Sequence, residues 1–199
     1  MRILIDGYNL LFQSTLVGRG RGEGWLQAAR IRLVVWLAER MDGVLRKQTT
    51  IVFDAHRFRR NRQEAEREQL EALGEGIRVA FANDYEEADD LLELLIRQHS
   101  HPKGLLVVSS DHRIQKRAQA RKCKHQDSED FWDEWESKPA LRVSVEQLDA
   151  DVDDFLRSGL EEGPISANQS PEAESGSLDE SEVEFWLRAF GSDSGDATR

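Results

Sequence analysis

The chain has 199 residues, with 27 Lys and Arg against 38 Asp and Glu and a net charge of −11, a length that suits one well-buried α/β domain with an appendage of about forty residues. No apolar run reaches the eighteen or so residues of a membrane span, and Met1-Arg2-Ile3-Leu4-Ile5-Asp6 reads as a strand ending in an acid rather than as a signal peptide, so a cytoplasmic protein without membrane association is expected. A single cysteine, Cys123, excludes an internal disulfide framework and a cysteine-built zinc site; next to His125 it reads as a small buried residue near a surface histidine.

In chain order, apolar runs alternate with helical patterns. Strands are predicted at 3–5, 51–53, 77–82 and 105–108; helices are predicted over 25–40, 61–73 and 86–99 and from about 112. Such alternation predicts a mostly parallel sheet with helices on both faces. The stretch from Val17 to Gly24 is rich in Gly and Arg but lacks the spacing and terminal Lys-Ser/Thr of a P-loop, so it reads as a flexible basic loop. Two short amphipathic helices are expected at 130–135 and 148–156, closing a domain over 1–158.

From Gly159 onward the composition turns to Glu, Ser, Pro, Gly and Asn, which buries too little apolar area to overcome chain entropy, so 159–199 is expected to be a disordered acidic tail. Within it Val183, Trp186, Leu187 and Phe190 fall at i, i+3, i+4 and i+7, predicting a short amphipathic helix over 181–190 that can dock a protein partner. The charge divides along the same line. Residues 1–125 hold 22 Lys and Arg against 17 Asp and Glu, a net +5, whereas 126–199 hold 5 against 21, a net −16.

Three predicted strands end in an aspartate or reach one shortly after: Ile5-Asp6, Phe53-Asp54 and Val108-Ser109-Ser110-Asp111. In open parallel sheets the ligand crevice lies at the strands' carboxyl ends, where these side chains converge. Glu86-Glu87-Ala88-Asp89-Asp90 opens the next helix toward the same rim. Relative to the stripe of Ala88, Leu91, Leu92 and Leu95, Asp89 lies at the edge and Asp90 points away, so Asp89 is the better-held carboxylate and Glu87 or Asp90 can reach a second ion. Gathered carboxylates repel, and hard divalent cations such as Mg²⁺ or Mn²⁺ relieve this while leaving room for a phosphate. Metal-assisted phosphodiester hydrolysis fits these parts. Each acid also reads as a turn former or helix cap; Asn9 reads as a cap or as an orienting neighbour of Asp6, and Ser109 and Ser110 as turn residues or donors to a ligand carboxylate.

Basic residues flank the rim: Arg57, Arg59, Arg60 and Arg62 after Asp54, and Arg113, Lys116, Arg117, Arg121, Lys122 and Lys124 after Asp111. They suit a phosphate track, with Tyr8, His56 or Phe58 stacking on an unpaired base.

The segments ILIDGYNLL at 3–11, IVFDAH at 51–56, EEADDLL at 86–92 and VVSSDHRIQKRA at 107–118 resemble, in order and spacing, the NYN-domain group of PIN-like nucleases and its YacP-like branch. EADD followed by a strand ending in S-x-D is also similar to the acidic core of the related 5′-nucleases. The likeness covers residues 1–126 and extends toward 158. It implies a PIN-like three-layer sandwich, metal ligation by Asp6, Asp89 and Asp111 with Asp54, Glu87 or Asp90 in support and Asn9 assisting Asp6, and endonucleolytic cleavage of RNA leaving a 5′-phosphate. It also implies mRNA as substrate and the ribosome as a partner; the acidic tail is outside the common pattern.

Two other strand-end aspartate chemistries fail on spacing. A response-regulator receiver needs a paired acid near its first strand and a lysine after a later one, and a D-x-D phosphatase needs an acid where Tyr8 stands. The alternatives that stay open are a catalytically silent RNA-binding module and a scaffold acting through the tail. A −16 segment tethered to a basic groove competes with nucleic acid at high effective concentration, an effect that salt screens. Truncation near Gly159 is therefore expected to tighten nucleic-acid binding mainly at low salt; equal affinity of the two forms at both about 50 and about 200 mM salt, where phosphate contacts respond strongly, would remove this role for the tail.

Overall fold

Ile3, Leu4 and Ile5 are fully buried in β1 (Arg2–Asp6), a run apolar on both faces because both faces of a parallel sheet are covered. The computed structural model describes residues 1–17, 24–55, 60–83, 85 and 88–141. Around β1 stand β2 (Thr49–Phe53), β3 (Arg78–Phe81), β4 (Leu105–Val108) and β5 (Lys124–Gln126), all parallel, in the order β3-β2-β1-β4-β5. Ile5 pairs with Ile51 on one side and Val108 on the other, so the carboxyl ends of three strands finish level with one another.

Alternation along the strands sorts the core into two layers. Ile3, Ile5, Ile51, Phe53 and Val79 pack with α1 (Gly7–Gln13), α2 (Trp25–Arg40), α4 (Arg60–Leu73) and α7 (Ser128–Glu136). Leu4, Val52 and Ala80 pack on the other face with α5 (Ala88–Gln98) and α6 (His112–Ala120). The larger layer is closed by Trp36 of α2 stacked on Trp132 of α7, with ring centroids 4.1 Å apart. The expected three-layer sandwich is therefore observed. No helix among the described residues is long and apolar enough to cross a membrane.

The predicted strands and the helices over 25–40, 61–73, 86–99 and after 112 are present among the described residues, and the short helix expected at 130–135 is α7. No apolar run or stripe marks β5, whose Lys124 and His125 are exposed, α1, which occupies a single short stretch after β1, or α3 (Gly43–Lys47), capped by Asp42. Cys123 is buried and free, and His125 meets Gln119 on the surface, as its spacing predicts. The loop at 18–23, the helix expected at 148–156 and the tail with the helix expected at 181–190 lie outside the described residues.

One glycine is demanded by packing. A Cβ on Gly7 would strike the Phe53 ring and stand 2.8 Å from the Val52 carbonyl oxygen, so α1 can leave β1 this close to β2 only because position 7 has no side chain. Helix propensity alone predicts that Gly7→Ala stabilises by up to about 1 kcal/mol, whereas overpacking against backbone predicts a loss of about 1–3 kcal/mol. We expect the loss, read as a lower melting temperature with the circular dichroism spectrum retained; a higher melting temperature would show that α1 has room to move.

Candidate functional site

From β1 the chain adds β2 and β3 on one side of the sheet and then crosses to add β4 and β5 on the other. The crevice at this switch lies at the carboxyl ends of β1 and β4, and Asp6 stands in it as the last residue of β1. Only 7% of its surface is exposed. Its Oδ1 accepts the Asn9 backbone N–H at 3.1 Å, capping α1, and its Oδ2 accepts the Ser109 hydroxyl at 3.0 Å. Burial pushes the Asp6 carboxyl up, the Asn9 and Ser109 hydrogen bonds pull it down, and the nearby charges of Asp89 and Asp54 push it up again, to about 6.

The loop after β4 is laced to this carboxylate. Ser109 Oγ also accepts the Asp111 N–H at 3.1 Å, the Asn9 side-chain oxygen accepts the Ser110 N–H at 2.9 Å, and Gln115 Nε2 donates to the Ser109 carbonyl at 2.9 Å. Asp111 caps α6, its Oδ1 accepting the N–H groups of Arg113 and Ile114. Asp54, just beyond β2, accepts the Ala88 N–H and so ties the first residue of α5 to the strand end. Asp6, Asn9, Asp54, Asp89 and Asp111 thus share one rim. Glu87 lies outside the described residues, and Asp90 turns to Arg113 at 2.7 Å.

Among the described residues no three His, Cys, Asp or Glu side chains form a group that could by itself hold a metal ion. The donor chemistry nevertheless fits a hard divalent cation. The influences lowering the Asp6 carboxyl are two neutral hydrogen bonds, while two further carboxylates act to raise it, which leaves negative charge for a cation to offset.

The expected nucleic-acid contacts distribute unevenly. Tyr8 is buried: its ring meets Phe53 edge-on at 5.4 Å and stacks on Phe12 at 5.9 Å, and its hydroxyl accepts a hydrogen bond from Arg30 Nη1. It does not offer a face to a base. Phe12, 59% exposed, is the aromatic that α1 presents to solvent. Arg113 and Arg117 reach from α6 to acids on α5, and Lys116 is exposed between them. His56, Arg57 and Arg59 lie outside the described residues; Arg60 is the first residue of α4.

No motif marks Arg30, Glu93 or Asp127 in the sequence. Arg30 is buried inside α2, paired with Glu66 and set 5.6–6.0 Å from the rings of Tyr8, Phe53 and Phe81. Its signal was a lone charge in the apolar run Ala28-Ala29-Arg30-Ile31. Asp127 follows β5, caps α7 and accepts the Ser110 hydroxyl at 2.8 Å. With β5 unseen, nothing marked it as another strand-end acid.

Fold and rim together define a three-layer α/β domain with carboxylates gathered at parallel strand ends. The chain belongs to the YacP-like NYN domain family, which matches residues 3–162 and is a branch of the PIN-like nucleases. Among solved structures it is similar to a mutant of Rae1 (YacP) from Bacillus subtilis, at 21% identity and a TM-score of 0.48, covering 83% of this chain and 87% of that one. No curated protein matches.

The raised Asp6 carboxyl has a consequence for stability. Between its ordinary value of 3.8 and about 6 the native state binds more proton than the unfolded chain, so in metal-free protein stability falls as pH rises through that window. The total is about 3 kcal/mol, an order of magnitude set by the two-unit shift. Asp6→Asn keeps the cap and removes the charge. In chelator it is expected to exceed the wild type in urea stability at about pH 7 and to lose that advantage by about pH 3, below both titrations. A gap independent of pH would separate Asp6 from the rim's electrostatics.

Proposed function

We propose that the chain is a divalent-metal-dependent endoribonuclease that hydrolyses RNA phosphodiester bonds at the carboxyl ends of β1 and β4. The observation that carries this reading is the Asp6 carboxylate, buried at the end of the central strand, held by Asn9 and Ser109, and subject to the charges of Asp54 and Asp89. An acid buried only to cap α1 would not need two further carboxylates beside it. Family membership supports the nuclease reading; the choice of RNA, internal cleavage and a 5′-phosphate product rest on the resemblance of the sequence segments.

Asp6, Asp89 and Asp111, with Glu87, would hold Mg²⁺ or Mn²⁺, which supplies a water of lowered pKa and stabilises charge on the attacking and leaving oxygens of an in-line displacement. The chain's own groups fix the geometry. Asn9 and Ser109 orient the two Asp6 oxygens, Ser109 also holds the Asp111 backbone, and Asp54 anchors the turn of α5 that carries Asp89. Such orienting partners commonly contribute tenfold to a hundredfold to metal affinity or activity. Ser109 is 1% exposed, so its hydrogen bond to Asp6 is shielded from competing water.

We place this activity in residues 1–158, with 159–199 as an acidic tail that docks a protein partner, and in the cytoplasm, with mRNA as substrate and the ribosome as setting. The test is incubation of purified protein with structured and unstructured RNA and matched DNA, in Mg²⁺, Mn²⁺ or chelator, followed by mapping of the cleaved ends. Asp→Asn at 6, 89 or 111 is expected to remove at least about a hundredfold of activity with the fold retained, whereas Ser109→Ala is expected to cost about tenfold to a hundredfold. Full cleavage by all three Asn variants, or cleavage undiminished in chelator, would overturn the assignment, since Asn caps helices about as well as Asp.

A further inference from the structure

α5 and α6 lie side by side on the smaller face, and both begin at the rim: Asp89 and Asp90 are the second and third residues of α5, and α6 starts directly after Asp111. Between them runs a directed set of ion pairs. Arg113 Nε donates to Glu93 Oε1 at 2.6 Å and its Nη2 to Asp90 Oδ1 at 2.7 Å. Arg117 Nε and Nη2 both donate to Glu93 Oε2, at 2.9 and 2.6 Å.

The two acids play unequal parts. Glu93 spends one oxygen on each guanidinium, and its side chain is 17% exposed. Burial acts to raise its carboxyl, but the hydrogen bonds and charges of Arg113 and Arg117 outweigh this and hold it below the usual carboxylate range. Among the described residues Asp90 meets one edge of Arg113, and its side chain is 38% exposed. Arg113 and Arg117 stand one helical turn apart on the same face and are about half exposed, at 49% and 47%. Glu93 therefore holds two guanidiniums side by side on one carboxylate, while Asp90 occupies Nη2 of one of them with an acceptor that a phosphate oxygen can replace. Exposed single ion pairs contribute little to stability, so exchanging this one is cheap. Guanidinium forks match phosphate oxygens in geometry as well as in charge.

We propose that Arg113 and Arg117, assembled on Glu93, form a subsite for one RNA backbone phosphate beside the carboxylate rim, and that Asp90 is the exchangeable counter-ion which that phosphate displaces. The proposal rests on the reading of the chain as an enzyme acting on RNA, and deepens it by separating an acid that builds the subsite from one that guards it. A clasp serving only to join α5 to α6 would leave RNA binding indifferent to both acids.

The test is binding of a short fluorescent single-stranded RNA by the full chain in chelator, so that cleavage does not enter, over roughly 50 to 200 mM salt. Asp90→Asn is expected to tighten binding about threefold to tenfold, as loss of a competing charge near a phosphate contact does. Glu93→Gln removes the same unit of charge yet is expected to loosen binding by about threefold to tenfold, because the fork loses its anchor. Arg113→Ala and Arg117→Ala should each lower the slope of log affinity against log salt by about one. Lys at both positions should keep that slope while losing affinity, which decides the matter even where Glu93→Gln is poorly folded. Shifts of the same sign for Asp90→Asn and Glu93→Gln in folded proteins, or arginine variants with wild-type affinity and slope, would overturn the subsite while leaving the nuclease reading intact. Absence of RNA binding by the wild type under all these conditions would overturn the subsite, and absence of RNA cleavage in Mg²⁺ or Mn²⁺ as well would overturn both.

Discussion

Burying a carboxylate at the end of the central strand obliges the chain to supply it with hydrogen-bond donors, and Asp6 draws them from two separate elements. One is the first turn of α1, through the Asn9 N–H; the other is the loop after β4, through the Ser109 hydroxyl. Unmet, such a group costs far more than an ordinary hydrogen bond contributes. The demand fixes the exit of α1, whose sharp departure requires Gly7 against Phe53 and Val52. It also fixes the register of the β4 loop, which Asn9 and Gln115 hold from either side.

The same economy repeats around the rim. Asp6 caps α1, Asp111 caps α6, Asp127 caps α7, and Asp54 reaches across to the first N–H of α5. At these positions an aspartate that caps a helix also stands at the carboxyl end of the sheet. A helix that starts at a strand's carboxyl end turns its N-terminal N–H groups toward the crevice, and the acid that satisfies them is placed at the crevice by that act. The bonds to Asp54 and Asp111 fall on Oδ1 in each case. Capping one oxygen orients the carboxylate without consuming it.

What the sequence made legible follows from which signals are local. Continuous apolar runs marked the buried strands β1, β2 and β4, and the 3.6-residue stripe of Ala88, Leu91, Leu92 and Leu95 marked α5, because burial on both faces or on one stripe is written in consecutive residues. β5 escaped because an edge strand of Lys124, His125 and Gln126 has no apolar face to announce it, and Asp127 escaped with it. Tyr8 illustrates the other kind of loss. Its place beside Asp6 suggested a stacking surface, but the short helix α1 turns the ring onto Phe53 and into reach of Arg30, a residue 22 positions away whose partner Glu66 is farther still. No local pattern encodes that contact.

Charge shows the same gap between composition and structure. The net +5 of residues 1–125 suggests a broadly basic surface, yet many of its arginines are committed. Arg30 faces Glu66, Arg46 faces Glu75, Arg67 faces Glu64 and Glu71, and Arg113 and Arg117 face Glu93. Of these, Arg30 lies deep enough for its pair to be structural, with the guanidinium among aromatic rings and both partners nearly closed to water. Arg113 and Arg117 keep about half their surface in solvent and stand on α6, which starts at the acid rim. Basic residues in a sequence count charges; only exposure and the strength of the existing partner decide which of those charges a polyanion can recruit.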